Sequence, residues 1–167
     1  MEGKEIESLL ELGFISKKQN AVITGSTASG KTRLSKILKS LARDAGYKTV
    51  FFRIPDLFLG NRKDYVMRLM EEAHFVILDE FGYMPMTKQQ SEDLFEFITE
   101  ASQDKSVLIN TIREFSDWEK LMPDPILGKT FIRICTENCV HIHLTGQENV
   151  PVKRLKRKER KSVDEQR

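Results

Sequence analysis

The chain has 167 residues, 40% of them hydrophobic and 31% charged, which suits one soluble domain with a substantial core and excludes a disordered or fibrous chain. No apolar run approaches the roughly 18 residues that a membrane span needs, and the acidic N-terminus does not resemble a signal peptide. Two cysteines, Cys135 and Cys139, make no disulfide framework and fit a reducing cytosol, so a cytoplasmic protein without membrane contact is expected. The net charge of +2 conceals an asymmetry: eight of the 27 Lys and Arg, but only three of the 25 Asp and Glu, fall in residues 150–167. The chain therefore reads as one domain, 1–149, followed by a basic tail, 150–167, expected to be disordered. Lys153, Arg154, Lys156, Arg157 and Lys158 in that tail are candidates for a nucleic-acid arm.

In chain order, residues 4–12 read as a short helix and 20–24 as a buried strand. The next helix starts at Lys31, with Leu34, Ile37, Leu38 and Leu41 three and four apart, and ends near Gly46, which suits a C-cap. Residues 49–52 are a second apolar strand. Residues 56–70 look helical, with Gly60-Asn61 as a break. Residues 74–78 form a third strand that ends at Asp79-Glu80. Residues 88–101 form a helix with Leu94, Phe95 and Ile98 on its apolar face, followed by a strand at 106–110. Short helices at 115–122 and 126–134 precede a last strand at 140–144. Strands alternating with helices imply an α/β fold: a parallel sheet of about five strands, covered on both faces.

Between the first strand and its helix lies Gly25-Ser26-Thr27-Ala28-Ser29-Gly30-Lys31-Thr32, a full match to the phosphate-loop pattern G-x-x-x-x-G-K-[ST]. Its glycines let the backbone turn tightly, so that successive N–H groups and the helix N-terminus face an anion. Lys31 is placed to reach the β- and γ-phosphates, and the Thr32 hydroxyl to ligate Mg²⁺. A bound nucleoside triphosphate is the expectation. About fifty residues downstream, Phe75-Val76-Ile77-Leu78 delivers two carboxylates to the strand's C-terminal edge, where open α/β sheets bind ligands. Asp79 would hold the metal and Glu80 would activate the attacking water, with strand alternation turning the two to different tasks.

From Asp79 onward the chain resembles the IstB/DnaC-like branch of the AAA+ ATPases, which comprises insertion-sequence transposition helpers and helicase loaders. Leu78-Asp79-Glu80-Phe81-Gly82-Tyr83-Met84-Pro85-Met86 is similar to that family's DE(L/F)GY(L/M)P(L/M) segment. Phe115-Ser116-Asp117-Trp118 is similar to its FSEW, and Asp124-Pro125-Ile126-Leu127 to its DPVL. Phe14, Ile15 and Asn20 fit as well, so the likeness spans residues 12–146.

The resemblance implies a P-loop fold of AAA+ type and ATP as the nucleotide. It also implies a ring or spiral homo-oligomer on DNA, with a transposase or a replicative helicase as partner. Three departures accompany it. Family members usually carry an N-terminal domain that contacts a partner or DNA, whereas this sequence begins almost at the ATPase core. Ile112 stands where the family has asparagine, leaving Asn110, with Thr111 beside it, as the candidate γ-phosphate sensor. The family's Asp-Arg pair aligns with Arg133-Ile134, so Arg133 is the candidate finger toward a neighbour's nucleotide, displaced by one residue. Three readings stand: a transposition helper, a helicase loader, and a nucleotide-binding adaptor with little turnover.

Three smaller signals complete the reading. Arg62 and Lys63, with Arg68, flank the second helical segment and are candidates for DNA-backbone contact through the ring channel that the family implies. Cys135, Cys139, His141 and His143 form C-x₃-C-x-H-x-H, whose spacing matches no standard structural zinc module; packed cysteines and strand histidines are expected instead. Trp118 is expected in the core.

Overall fold

The computed structural model describes residues 2–148. In chain order the elements are α1 (Glu2–Leu10), α2 (Gly13–Ser16), β1 (Asn20–Gly25), α3 (Lys31–Asp44), β2 (Thr49–Arg53), α4 (Ile54–Leu57), α5 (Lys63–Glu72), β3 (Phe75–Phe81), α6 (Lys88–Ala101), β4 (Ser106–Thr111), α7 (Phe115–Trp118), α8 (Pro125–Thr136) and β5 (Cys139–Leu144). The five strands form one sheet in the order β2-β3-β4-β1-β5, and every pairing is parallel. The expected α/β class is the observed one.

Alternation along the strands divides the core in two. Ala21 and Ile23 of β1, Phe75 and Ile77 of β3, and Leu108 of β4 face α1, α2 and α3, packing with Ile6, Phe14, Leu34 and Leu38. Val22, Val76, Leu78, Val107 and Ile109 face the other way, against Val66, Leu94, Phe97 and Phe131 from α5, α6 and α8. The apolar runs are therefore strands buried on both faces, the environment that parallel sheets require.

Local chemistry sets the helix ends. Gly46, at φ +91°, closes α3 with its N–H on the Arg43 carbonyl, while Tyr47 donates to Ala42. Thr87 and Gln90 form a reciprocal capping box that opens α6. Asp124 accepts from the Ile126 N–H at 2.9 Å, with Pro125 following it, and so starts α8.

Four expectations shift. The helical segment at 56–70 separates into α4 and α5, because Gly60 at φ +59° and its neighbours carry the chain out of helix. β3 runs past Glu80 to Phe81. On α6, Phe97 is the fully buried aromatic and Phe95 is half-buried. The helix expected at 115–122 is a single turn of α7 followed by a 3₁₀ turn, Glu119–Leu121. Trp118 is in the core, its ring against Phe81, Phe115 and Phe131 and its indole N–H donating to the Arg113 carbonyl at 3.1 Å.

Candidate functional site

The C-terminal ends of β1, β3 and β4 converge on the Gly25–Thr32 loop. Gly25 sits at φ +153° and Gly30 at φ +99°, and Ala28 between them is left-handed at φ +64°. A Cβ on Gly25 would lie 2.5 Å from the Leu144 carbonyl oxygen and 2.6 Å from Ser29 Oγ, so only glycine lets β5 and the loop close on each other. Lys31 folds back over the loop: its ammonium donates to the carbonyls of Gly25 (2.8 Å) and Ser26 (2.6 Å) and lies 3.4 Å from Ser29 Oγ. Burial lowers its pKa, and the nearby Asp79 carboxylate opposes that shift.

Beneath the loop, Thr32 Oγ1 donates to Asp79 Oδ2 at 2.8 Å. The other carboxylate oxygen of Asp79 accepts from the Glu80 backbone N–H at 2.9 Å and from Asn110 Nδ2 at 3.1 Å. Asn110 also donates to Ser35 Oγ at 2.7 Å, and its own Oδ1 is buried without a hydrogen-bond partner. A hydroxyl and a carboxylate in contact at a phosphate loop are the oxygen donors that Mg²⁺ prefers, and the glycine-lined turn would accommodate phosphates. The residues present fit both groups.

The structure places the remaining sequence candidates as follows. Asn110 is fully buried and directed at Asp79 and Ser35, so it orients the carboxylate from below. Thr111 is likewise buried, its hydroxyl donating to the Phe81 carbonyl at 2.8 Å. Regular alternation does not separate Asp79 from Glu80. A bulge interrupts the β3–β4 register between Leu78 and Phe81, and Glu80 is left-handed at φ +65°. That turn swings the Glu80 carboxylate toward β2, where Arg53 binds it through Nη2 (2.9 Å) and Nε (3.1 Å).

Arg133 lies exposed in the last turn of α8, away from any carboxylate partner among the described residues. Arg62 donates to the Asp56 carbonyl at 3.3 Å and lies over the Tyr65 ring. Lys63 bridges two carboxylates of α6, Glu96 at 2.7 Å and Asp93 at 3.3 Å. The tail candidates Lys153, Arg154, Lys156, Arg157 and Lys158 lie outside the described residues. Cys135 is buried in the core, and desolvation raises its thiol far above the ordinary range. His141 Nε2 and His143 Nδ1 meet at the Thr24 hydroxyl, at 2.9 and 3.0 Å.

Two contributors escape sequence reasoning. Arg53 pairs in register with Asp79 across β2 and β3, a relation that only the strand pairing reveals, although its position at a strand's C-terminal end was a usable signal. Ser35, one helical turn beyond Lys31 on the buried face of α3, carries no motif of its own.

The model of the family described as IstB-like ATP binding protein matches residues 1–161. An insertion sequence IS21 protein of Pseudomonas aeruginosa, named as ATP-binding, is 25% identical over 167 residues, covering 96% of this chain and 62% of that protein. The chain thus spans about three fifths of that relative's length. Among solved structures, DnaI superposes with a TM-score of 0.73 at 11% identity, over 84% of each chain. The DnaC helicase loader superposes with a TM-score of 0.65 at 16% identity, over 84% of this chain and 86% of that one. At such identities the structural likeness carries the fold.

Proposed function

Because the chain belongs to the family of IstB-like ATP-binding proteins, we propose that it is an AAA+ ATPase that assists DNA transposition. In this reading it binds ATP with Mg²⁺, gathers as a homo-oligomer on DNA, and leaves when the nucleotide is hydrolysed. The observation that carries the reading is the Thr32–Asp79 contact beneath a glycine-lined loop that also presents Lys31. Lys31 exchanges the loop carbonyls for phosphate oxygens. Thr32 and Asp79 would hold Mg²⁺, which neutralises charge on the phosphates during transfer. Asn110 keeps the Asp79 carboxylate directed at Thr32, and Glu80 accepts the proton of the attacking water once Arg53 releases it. Arg133 is the proposed finger toward a neighbouring subunit. Residues 1–149 are the proposed nucleotide domain, and 150–167 a DNA-contacting tail.

The test is phosphate release with and without DNA, parent against Glu80→Gln. The variant should bind ATP and DNA as the parent does and lose turnover. A parent rate no higher than the variant's under every condition overturns the hydrolytic reading and leaves a nucleotide-binding adaptor, which the Arg53–Glu80 pair favours. A second reading, loading of a replicative helicase, draws on the likeness to the DnaC loader fold. Co-purification with a transposase supports the first reading, and co-purification with a helicase the second.

A further inference from the structure

Among the described residues, no carboxylate answers the charge on the outer face of α3. Lys36, Lys39 and Arg43 follow one another at three and four residues, so they share one face of the helix and span about 10 Å of its axis. Some cations on other elements are engaged: Lys63 with Asp93 and Glu96, Arg53 with Glu80, Lys18 with Asp104, Lys120 with Asp117, and Lys105 with the carbonyls of Met70 and Glu71. Arg133 of α8, like the α3 cations, has no carboxylate partner among the described residues. Among the described residues, none of the three α3 cations forms an ion pair.

They open instead onto a groove of about 360 Å³, completed by Ser40, Asp44 and Phe51. Phe51 belongs to β2, the edge strand of the sheet, and the Lys39 ammonium rests 5.7 Å from its ring centroid. Partial burial, with Arg43 and Lys36 close by, lowers the Lys39 pKa, so the three charges repel one another. Arg43 also lines an adjoining groove with Tyr47 and Lys48, where Glu72 supplies one opposing charge. Asp44 is the one acidic residue that lines the first groove, and it pairs with none of the three.

We propose that this α3–β2 groove is a contact surface for the phosphodiester backbone of DNA, with Lys36, Lys39 and Arg43 each facing a phosphate. A line of unpaired cations beside an open sheet edge matches an extended polyanion better than a compact ligand. The assignment rests on the DNA-binding reading above. It moves the contact to a helix whose first turn holds Thr32, so one rigid element would join nucleotide and DNA.

The experiment uses the full chain, with labelled single-stranded and duplex DNA of one sequence, in a salt titration followed by fluorescence anisotropy. Lys36→Gln/Lys39→Gln/Arg43→Gln should weaken binding about tenfold or more at low salt and make the log–log salt slope shallower by about 2–3, at 0.7–0.9 per lost phosphate contact. Asp44→Asn should tighten binding. Unchanged ATP affinity in the triple variant shows that α3 is intact. If the triple variant does not fold, Lys36→Gln and Arg43→Gln singly should each reduce the slope by about 0.7–0.9. A parent that binds DNA with the same affinity and slope as the variants overturns this assignment alone, and leaves the groove to an acidic protein partner. A parent that binds neither DNA overturns both this assignment and the reading beneath it.

Discussion

The guanidinium of Arg53, at the end of β2, holds the Glu80 carboxylate at the end of β3 through two contacts, at 2.9 and 3.1 Å. Asp56 supports the same guanidinium at 3.7 Å, and Arg53 lies opposite Asp79 in the strand register. The carboxylate proposed to activate water is thus occupied by a cation, one residue from the carboxylate proposed to hold the metal. Glu80 meets this partner only by adopting φ +65°, a conformation that costs a non-glycine residue about 1–3 kcal/mol where the surroundings impose it.

Arg53→Ala should therefore raise basal ATP turnover without changing ATP affinity. The Arg53 side chain is open to solvent, which weakens its hold on Glu80, so the expected gain is modest, a few-fold at most. Phosphate release in the absence of DNA measures it. A fall in kcat would show instead that Arg53 orients Glu80 for the reaction.

Asn110→Ala should be costly in two separable ways. It removes the donor to Asp79 Oδ1 and to Ser35 Oγ, both in the buried seam between α3, β3 and β4. The loss of buried hydrogen bonds predicts about 1–3 kcal/mol in denaturant unfolding. Because Asp79 loses its anchor from below, kcat and the Mg²⁺ requirement should also worsen. Reduced stability with unaltered kinetics would confine Asn110 to a structural role.

Gly25→Ala tests the loop itself. The added methyl meets the Leu144 carbonyl at 2.5 Å and Ser29 Oγ at 2.6 Å, on a backbone that side chains rarely adopt. β5 or the loop must move, and either shift displaces the carbonyls that Lys31 now holds. The expected result is loss of measurable ATP binding in calorimetry, together with a lowered melting temperature. Gly13→Ala is the control, since a Cβ there meets nothing within 4 Å.

The strands were legible because a parallel sheet buries both faces, so runs such as Phe75-Val76-Ile77-Leu78 are apolar without interruption. The bounds of α6 were legible from the helical spacing of Leu94 and Ile98, and the Thr87–Gln90 capping box fixes its start in the structure. The loop and Asp79 stood out because phosphate and metal chemistry demands fixed residue types at fixed spacing. What stayed hidden depends on neighbours in space. The Arg53–Glu80 contact requires the β2–β3 register and a bulge, and the ties from Lys63 to Asp93 and Glu96 require α5 to lie beside α6. Residue spacing along one element contains neither.

The histidines of β5 predict an acid-sensitive edge next to the loop. His141 Nε2 contacts Thr24 Oγ1 at 2.9 Å, beside His143 at the same hydroxyl and the Phe115 ring at 4.8 Å. Burial lowers the His141 pKa; Glu114 and Glu5 pull it upward, and His143 adds to the lowering. Above about pH 6.5 His141 is neutral in the folded and unfolded chains alike, and contributes no pH dependence. As pH falls below that value the unfolded chain binds the proton first, so stability declines until pH reaches the lower folded pKa. Denaturant midpoints measured from about pH 7.5 down to about pH 5.5 should fall for the parent and fall less steeply for His141→Gln. Equal slopes for the two proteins would remove His141 from the account. Because Thr24 directly precedes Gly25, the same acid range should weaken ATP binding in the parent more than in His141→Gln, which separates a strain on the loop from a general loss of stability.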